Sequence, residues 1–218
     1  MAAGGDLAAF VRPIFACSAE VAGAICARAA DRRYPAREMI LRQGDRSGET
    51  FLLVDGRAQG LLYGAEGQLV LLQEFAPGDV FGAIAQHESE PHPADVTAVE
   101  DSRAAVFGAL DFVGLIETYG CVALMVTRTL LKQLRAATGR IAERSTLSAV
   151  GRIHAELLRL AGAGQTIRPA PVLAALAVRV NTTRETVSRT INALERRGVI
   201  RREADTLIVL ARGRLEEI

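Results

Sequence analysis

Within the stretch 172–200 of this 218-residue chain, Arg184, Glu185, Ser188, Arg189 and Asn192 crowd onto a few helical turns. An arginine guanidinium can bridge the O6 and N7 atoms of guanine, and a glutamate can accept from the N4 amine of cytosine. The surrounding pattern says how such groups would be presented. Leu173, Leu176, Ala177 and Val180 recur at helical spacing, as do Val187, Ile191 and Leu194, and the two runs meet at Val180-Asn181-Thr182. Asn tolerates the left-handed conformation that a tight turn needs. Thr182 and Glu185 have capping-box spacing, which predicts that the second helix starts at Thr182. With Val187, Ile191 and Leu194 facing inward, Arg184, Glu185, Ser188, Arg189 and Asn192 lie on the opposite side. Those are the positions from which the second helix of a helix-turn-helix touches bases. A solvated helix face with ion pairs would share the exposed arginines but would not explain the turn and the cap.

The residues after this helix extend the pattern. Gly198 is expected to stop the helix, and residues 201–206 read as a turn between two short strands, the second running from Leu207 through Leu210. That is the outline of a wing, from which Arg196, Arg197, Arg201 and Arg202 could reach phosphates. Charge is distributed accordingly. From Ser148 to the end there are twelve basic and seven acidic residues, against 14 and 18 in the remainder. A basic module on a slightly acidic body is the footprint of a nucleic-acid-binding part joined to something else.

Other chemistries find little support. Cys17, Cys26 and Cys121 are odd in number and scattered, with no C-x-x-C, so neither a disulfide framework nor a zinc site is expected; they read as free thiols, a redox role left open. His87 and His92 could ligate haem or a metal but read as solvated loop residues, and His154 reads as a packing residue. No metal site is expected. There is no nucleophile motif and no phosphate-cradling glycine loop, so an enzyme is not expected. No run of 18 apolar residues suggests a membrane span, and the N-terminus lacks the pattern of a secretory signal, which predicts a cytoplasmic protein with no membrane partner.

The elements that must position the C-terminal motif are read from periodicity. Ala22, Ile25, Cys26 and Ala29 make the first thirty or so residues helical. Residues 34–107 read as short strands cut by turns: Phe51 through Val54 before a D-G hairpin signal at Asp55-Gly56, then Leu61 through Tyr63, Leu69 through Phe75, a break at Pro77-Gly78-Asp79, and a last pair of strands around Glu100-Asp101. Such a series implies an antiparallel barrel, roll or sandwich. Residues 110–144 read as one helix of about 35 residues and about 50 Å. Leu124, Leu131 and Thr138 alternate with Thr127, Leu134 and Ile141 in an a/d stripe. No other segment offers that stripe a partner, which favours a dimerisation helix over a core helix of its own domain. Ser148 is placed to cap a helix over 149–161, ended by Gly162-Ala163-Gly164.

At this point a resemblance is apparent. Thr182-Thr-Arg-Glu-Thr-Val-Ser-Arg189, followed by Ala193-Leu-Glu-Arg-Arg-Gly-Val-Ile200, resembles the helix-turn-helix of the cyclic-AMP receptor protein/FNR family. Arg42-Gln-Gly-Asp45, Pro77-Gly-Asp-Val-Phe-Gly82 and Val150-Gly-Arg-Ile153 stand in the family's order, so the resemblance covers nearly the whole chain. It implies an α+β fold with an N-terminal cyclic-nucleotide-binding-type β-roll (jelly roll) over 1–109, a dimerisation helix over 110–147 and a C-terminal winged helix-turn-helix over 148–218. It also implies that Arg184, Glu185 and Arg189 read bases, with Thr183 on a phosphate. The expected partners are double-stranded DNA, a second copy of the chain on a palindromic site, and RNA polymerase if the protein activates.

The sensor region departs from the family pattern. After the Phe81-Gly82 pair, nucleotide-binding members carry a glutamate for the ribose hydroxyl; here Ala83 stands there. An Arg-Ser pair that grips the cyclic phosphate corresponds to His92 and Pro93, before Ala94. A buried phosphate needs a paired cation, so the effector expected is not ordinary cyclic AMP. Thr138 is either a register-setting seam residue or part of the effector pocket. An FNR-type iron–sulfur cluster needs about four thiolates, which this chain does not have. The expectation is a nucleotide-like or other effector (a cyclic dinucleotide, haem or a redox signal) in a remodelled pocket, or effector-independent action, with no cofactor certain.

Overall fold

The structure is a computed structural model that describes residues 3–64, 69–84 and 90–217, with side chains from Asp6 onward. At the N-terminus, α1 (Ala3–Phe15) and α2 (Ala19–Cys26) are separated by a turn in which Ala16 has φ 50° and the Ser18 hydroxyl accepts from Val21 N–H to cap α2. Helix gives way to strand at Ala30, four residues earlier than the sequence texture suggests, because the exposed Asp31-Arg32-Arg33 run pairs edge-on with a later strand.

The next part of the chain forms eight strands: β1 (Ala30–Tyr34), β2 (Met39–Leu41), β3 (Glu49–Asp55), β4 (Ala58–Tyr63), β5 (Leu69–Phe75), β6 (Val80–Gly82), β7 (Asp95–Ala98) and β8 (Ser102–Gly108). They make two four-stranded sheets, in the orders β1-β8-β3-β6 and β2-β7-β4-β5. Of the antiparallel arrangements left open by the sequence, the chain thus builds the two-sheet β-roll. Its interior is filled by Phe51, Leu53, Phe75, Phe81, Val96 and Val106. The other face of the first sheet presents Leu52, Val54, Val80, Ala105 and Phe107 to the helices, so β3 is buried on both sides and shows no alternation.

The Asp55-Gly56 signal marks a turn but not a hairpin. Gly56 has φ 82°, yet β3 pairs with β6 and β8, while β4 belongs to the other sheet. The turn carries the chain from one sheet to the other and packs against the β7–β8 connection, where a Cβ on Gly56 would lie 2.5 Å from the Asp101 carbonyl oxygen.

The helix expected over 110–144 is two helices, α3 (Ala109–Thr118) and α4 (Gly120–Thr146), bent by 111°. Tyr119 between them is extended, at φ −122° and ψ 106°. The reason is apolar surface on both sides of the break: Phe112 and Leu115 of α3 and Val122, Met125 and Val126 of α4 all join the same core, which a straight helix could not achieve. The remaining α4 has 27 residues, about 40 Å at 1.5 Å per residue. Along it Leu124, Thr127, Leu131, Leu134, Thr138 and Ile141 are all exposed.

The C-terminal part contains α5 (Ala149–Ala161), β9 (Thr166–Ile167), α6 (Leu173–Val180), α7 (Arg184–Arg196), β10 (Ile200–Glu203), β11 (Thr206–Val209) and α8 (Gly213–Glu216). Ser148 caps α5 by accepting from Gly151 N–H at 3.1 Å, and Gly162 ends it at φ 57°. Ile153, Leu157, Leu176, Val187, Ile191, Leu194 and Val209 form its core. The chain divides into two compact units, residues 1–62 with 72–137, and residues 63–71 with 138–218. Among the described residues no single helix is long and apolar enough to cross a membrane.

Candidate nucleic-acid interface and effector cavity

The turn between α6 and α7 is built from backbone hydrogen bonds. Asn181 adopts the left-handed conformation (φ 50°, ψ 64°), and Thr182 N–H reaches back 3.0 Å to the Ala177 carbonyl. That bond keeps Thr182 with the end of α6. The cap of α7 is therefore Thr183, one residue later than capping-box spacing predicts, and its hydroxyl accepts from Thr186 N–H at 3.2 Å. Glu185 is held below the usual carboxylate range, first by its own backbone N–H and then by the Thr183 hydroxyl, so it is an acceptor at neutral pH. Val187, Ile191 and Leu194 are buried, whereas Arg184, Glu185, Arg189 and Asn192 are exposed and Ser188 is half-buried. The five site residues named from sequence, Thr183, Arg184, Glu185, Ser188 and Arg189, thus share the first two turns of one helix.

Sequence reasoning missed the residue that fixes this turn. Arg152, on α5, donates from Nε to the Val180 carbonyl (2.9 Å), from Nη2 to the Asn181 carbonyl (3.2 Å) and from Nη1 to the Leu147 carbonyl (3.0 Å). One guanidinium satisfies the C-terminal carbonyls of α6 and the end of α4. Only its place in the Val150-Gly-Arg-Ile153 motif hinted at this.

The wing is narrower than expected: Arg201, Arg202 and Glu203 lie in β10, leaving Ala204 and Asp205 as the turn. Arg202 is exposed but tied back to α7. Its Nε donates to Glu195 Oε2 (3.0 Å), its Nη2 to Asn192 Oδ1 (2.9 Å), and its backbone N–H to Glu195 Oε1 (3.2 Å). The ion pair holds Glu195 below the usual carboxylate range and braces the wing against α7.

His154 packs within this domain, with Nδ1 buried and, among the described residues, without a hydrogen-bond partner. Burial, and then the positive charge of Arg197, lower its pKa from the ordinary value near 6.5. The unfolded chain therefore binds this proton more readily than the folded one, and linkage fixes the sign. The contribution is present above pH about 6.5 and is lost as pH falls from there through the lower folded value. Thermal unfolding followed between pH 7.5 and 5 should show a decline that His154→Gln flattens; parallel profiles for both proteins would contradict this.

A second site lies in the first unit: a cavity of about 220 Å³ inside the roll. Phe75, Phe81, Gly82, Ile84 and Val96 line it with His92, Pro93, Ala94, Gln73 and Gln133, among others. Four of the expected pocket residues, Gly82, His92, Pro93 and Ala94, are thus brought together. Two are not. Ala83 is buried with its N–H on the Glu49 carbonyl and its carbonyl accepting from the Thr50 hydroxyl, and it does not line the cavity. Thr138 is exposed and does not line it either, because it lies on the outward stripe of α4; Gln133 is the α4 residue that does. Gly82 has φ 93°, and a Cβ there would sit 2.4 Å from the Glu49 carbonyl oxygen, so glycine is required by the strand. His92 is no solvated loop residue: it is buried, with Nε2 2.8 Å from the Ser47 hydroxyl. His87 lies outside the described residues, and among those described no group of three or more His, Cys, Asp or Glu could hold a metal ion.

Comparison with known proteins gives concordant matches for both units. Residues 31–119 match the cyclic nucleotide-binding domain, and residues 151–218 match the Crp-like helix-turn-helix domain. The chain is 32% identical over 191 residues to the cyclic AMP receptor protein of Thermus thermophilus, covering 86% of this chain and 87% of that one. It is 23% identical to the cAMP-activated global transcriptional regulator CRP of Salmonella typhimurium, over 81% and 88% of the two chains. Among solved structures, the c-di-GMP responsive global regulator CLP of Xanthomonas campestris is similar in fold, with a TM-score of 0.79 at 20% identity over 88% of this chain and 99% of the other. The catabolite activator protein of Thermus thermophilus is similar at a TM-score of 0.53 and 29% identity, over 94% and 97%.

Proposed function

We propose that this chain, which belongs to the cyclic-AMP receptor protein/FNR family of DNA-binding transcription regulators, works as a homodimer on a palindromic duplex site and is switched by an effector other than ordinary cyclic AMP. The observation that carries the DNA reading is the capped start of α7, where Arg184, Glu185 and Arg189 stand exposed on a helix whose opposite face is buried. Arg184 and Arg189 supply bidentate donors for guanine and Glu185 an ionised acceptor for cytosine. Thr183, Ser188 and the N–H groups at the helix start suit a phosphate.

The dimer is supported by α4, whose exposed Leu124, Leu131, Leu134 and Ile141 fall on one stripe at heptad spacing. Two copies related by a twofold axis place their recognition helices about one DNA turn apart. A protein that works on chromosomal DNA acts in the cytoplasm, and as a regulator rather than an enzyme. The relatives named for cyclic AMP or c-di-GMP make a nucleotide the default effector. Here Ala83 does not line the cavity and carries no carboxylate for a ribose hydroxyl, and no lysine or arginine is among the described lining residues to pair with a cyclic phosphate.

The test is fluorescence anisotropy of ligand-stripped protein on a pool of palindromic duplexes at physiological salt. Sequence-selective binding is expected for one family of sites. Arg184→Ala should then lose discrimination at one guanine per half-site, worth roughly 1–3 kcal/mol. An equal loss on every duplex would make Arg184 a phosphate contact and remove it from the readers.

A further inference from the structure

The charge of the roll constrains what its cavity can hold. Between Arg57 and Arg103 the sequence has no lysine or arginine, while it has eight acidic residues. That stretch spans β4 to β7 and includes the residues between them whose structure is not described, so they add no lysine or arginine. Lys132, beside Gln133 on α4, is paired at 2.6 Å with Asp79 Oδ1, and that buried aspartate also accepts from Ala76 N–H through Oδ2. Asp95, also buried, accepts from Gln43 N–H. His92 is tied to Ser47. Among the described residues that line the cavity there is no lysine or arginine to pair with a phosphate, and burying an unpaired charge is strongly unfavourable.

The walls point the other way. Phe75 and Phe81 have ring centroids 4.5 Å apart, and Phe81 in turn stacks on Phe51 at 5.2 Å and 6°. Phe75 and Phe81 line the cavity together with Leu41, Leu72, Ile84 and Val96. The volume, about 220 Å³, lies below the roughly 300 Å³ at which drug-sized ligand pockets begin. It exceeds the roughly 150 Å³ of an apolar cavity that takes up benzene. A polar group in the lining is the Gln133 amide, which donates from Nε2 to the Val80 carbonyl at 3.1 Å and has hydrogen-bonding capacity beyond that one bond.

We propose that this cavity binds an uncharged molecule about the size of one substituted aromatic ring, packed on the Phe75–Phe81 wall and hydrogen-bonded to Gln133. The inference rests on the reading of the roll as the effector domain and adds the ligand class. Because Gln133 belongs to α4 and Val80 to β6, an occupant that engages the amide adds a bond from the cavity to that helix beside the one to Val80, so occupancy is registered on the helix carrying the exposed stripe.

The experiment uses the full chain and two probes, 4-methylphenol (neutral at pH 7, like a tyrosine side chain) and cyclic AMP, by calorimetric titration and thermal unfolding. Gly60→Val adds bulk at a lining position: the nearest atoms to a Cβ at Gly60 are Phe75 Cε2 at 3.7 Å and Gln73 atoms at 3.8 Å, ordinary contacts, and an unchanged circular dichroism spectrum checks that the valine methyls leave the fold intact. At ten times its Kd, 4-methylphenol should raise Tm by about 3 °C. Gly60→Val should weaken it at least tenfold, and Gln133→Leu severalfold, while cyclic AMP leaves the protein unchanged. Salt-sensitive cyclic AMP binding, 4-methylphenol binding indifferent to Gly60→Val, or no binding of either probe overturns the proposal. Selective DNA binding by the same preparation is scored separately, so loss of the ligand class is distinguishable from loss of the regulator reading.

Discussion

Leu134→Asp should convert the proposed dimer to a monomer and weaken binding to a full palindrome by roughly 10²–10⁴-fold, while binding to a single half-site changes little. Leu134 is 59% exposed in the single chain and lies mid-stripe between Leu131 and Ile141. In a two-stranded seam it would face its own copy, so the substitution buries two carboxylates against each other and against leucine. The fold is not at risk, because α4 is anchored through its other face by Val122, Met125 and Val126. The avidity lost is that of linking two recognition helices, since neither helix is itself altered. Light scattering after size exclusion reads the mass, and anisotropy on full-site and half-site duplexes reads the coupling. A variant that stays dimeric would place the dimer seam elsewhere.

Arg152→Ala should cost about 3 kcal/mol of stability in the DNA-binding domain and abolish selective DNA binding at temperatures where the domain is still folded. The guanidinium serves three carbonyls, of Leu147, Val180 and Asn181, from three different nitrogens. Two of those carbonyls close the C-terminal end of α6, where a cation is also favoured by the helix dipole. Removing it leaves the left-handed turn at Asn181 held by fewer bonds, and the start of α7 depends on that turn. Arg152→Lys should recover only part of the loss, because a point-like ammonium cannot fork to three acceptors. Urea unfolding gives the stability and anisotropy at matched folded fraction gives the specificity; wild-type specificity in folded Arg152→Ala would show that the turn positions α7 unaided.

The parts of this protein legible in sequence are those whose causes are local. Asn181 must accept a positive φ, Ser148 must present a hydroxyl to Gly151, and Gly162 must end α5; each depends on residues within a turn or two, and each is found where the residue types put it. The exposed face of α7 is set by three apolar positions at helical spacing. The family pattern extended this to the β-roll and the winged helix.

The features that the sequence left open, or had wrong, depended on partners distant along the chain. The cap of α7 moved from Thr182 to Thr183 because Thr182 N–H is drawn to the Ala177 carbonyl. The long helix broke at Tyr119 because the apolar faces of α3 and α4 are satisfied by one core. Asp55-Gly56 turned without forming a hairpin because β3 pairs with β6 and β8 in the first sheet while β4 pairs in the second. Ala83 left the cavity and Gln133 entered it, which no spacing in the sequence could reveal, since one is fixed by β3 backbone and the other by the rotation of α4 against the roll. Sequence alone thus determined which side chains stand exposed at the start of α7, a matter of residue types on one helix. Only the tertiary structure decided the lining of the cavity in the roll, because its walls are gathered from strands and a helix far apart in the chain.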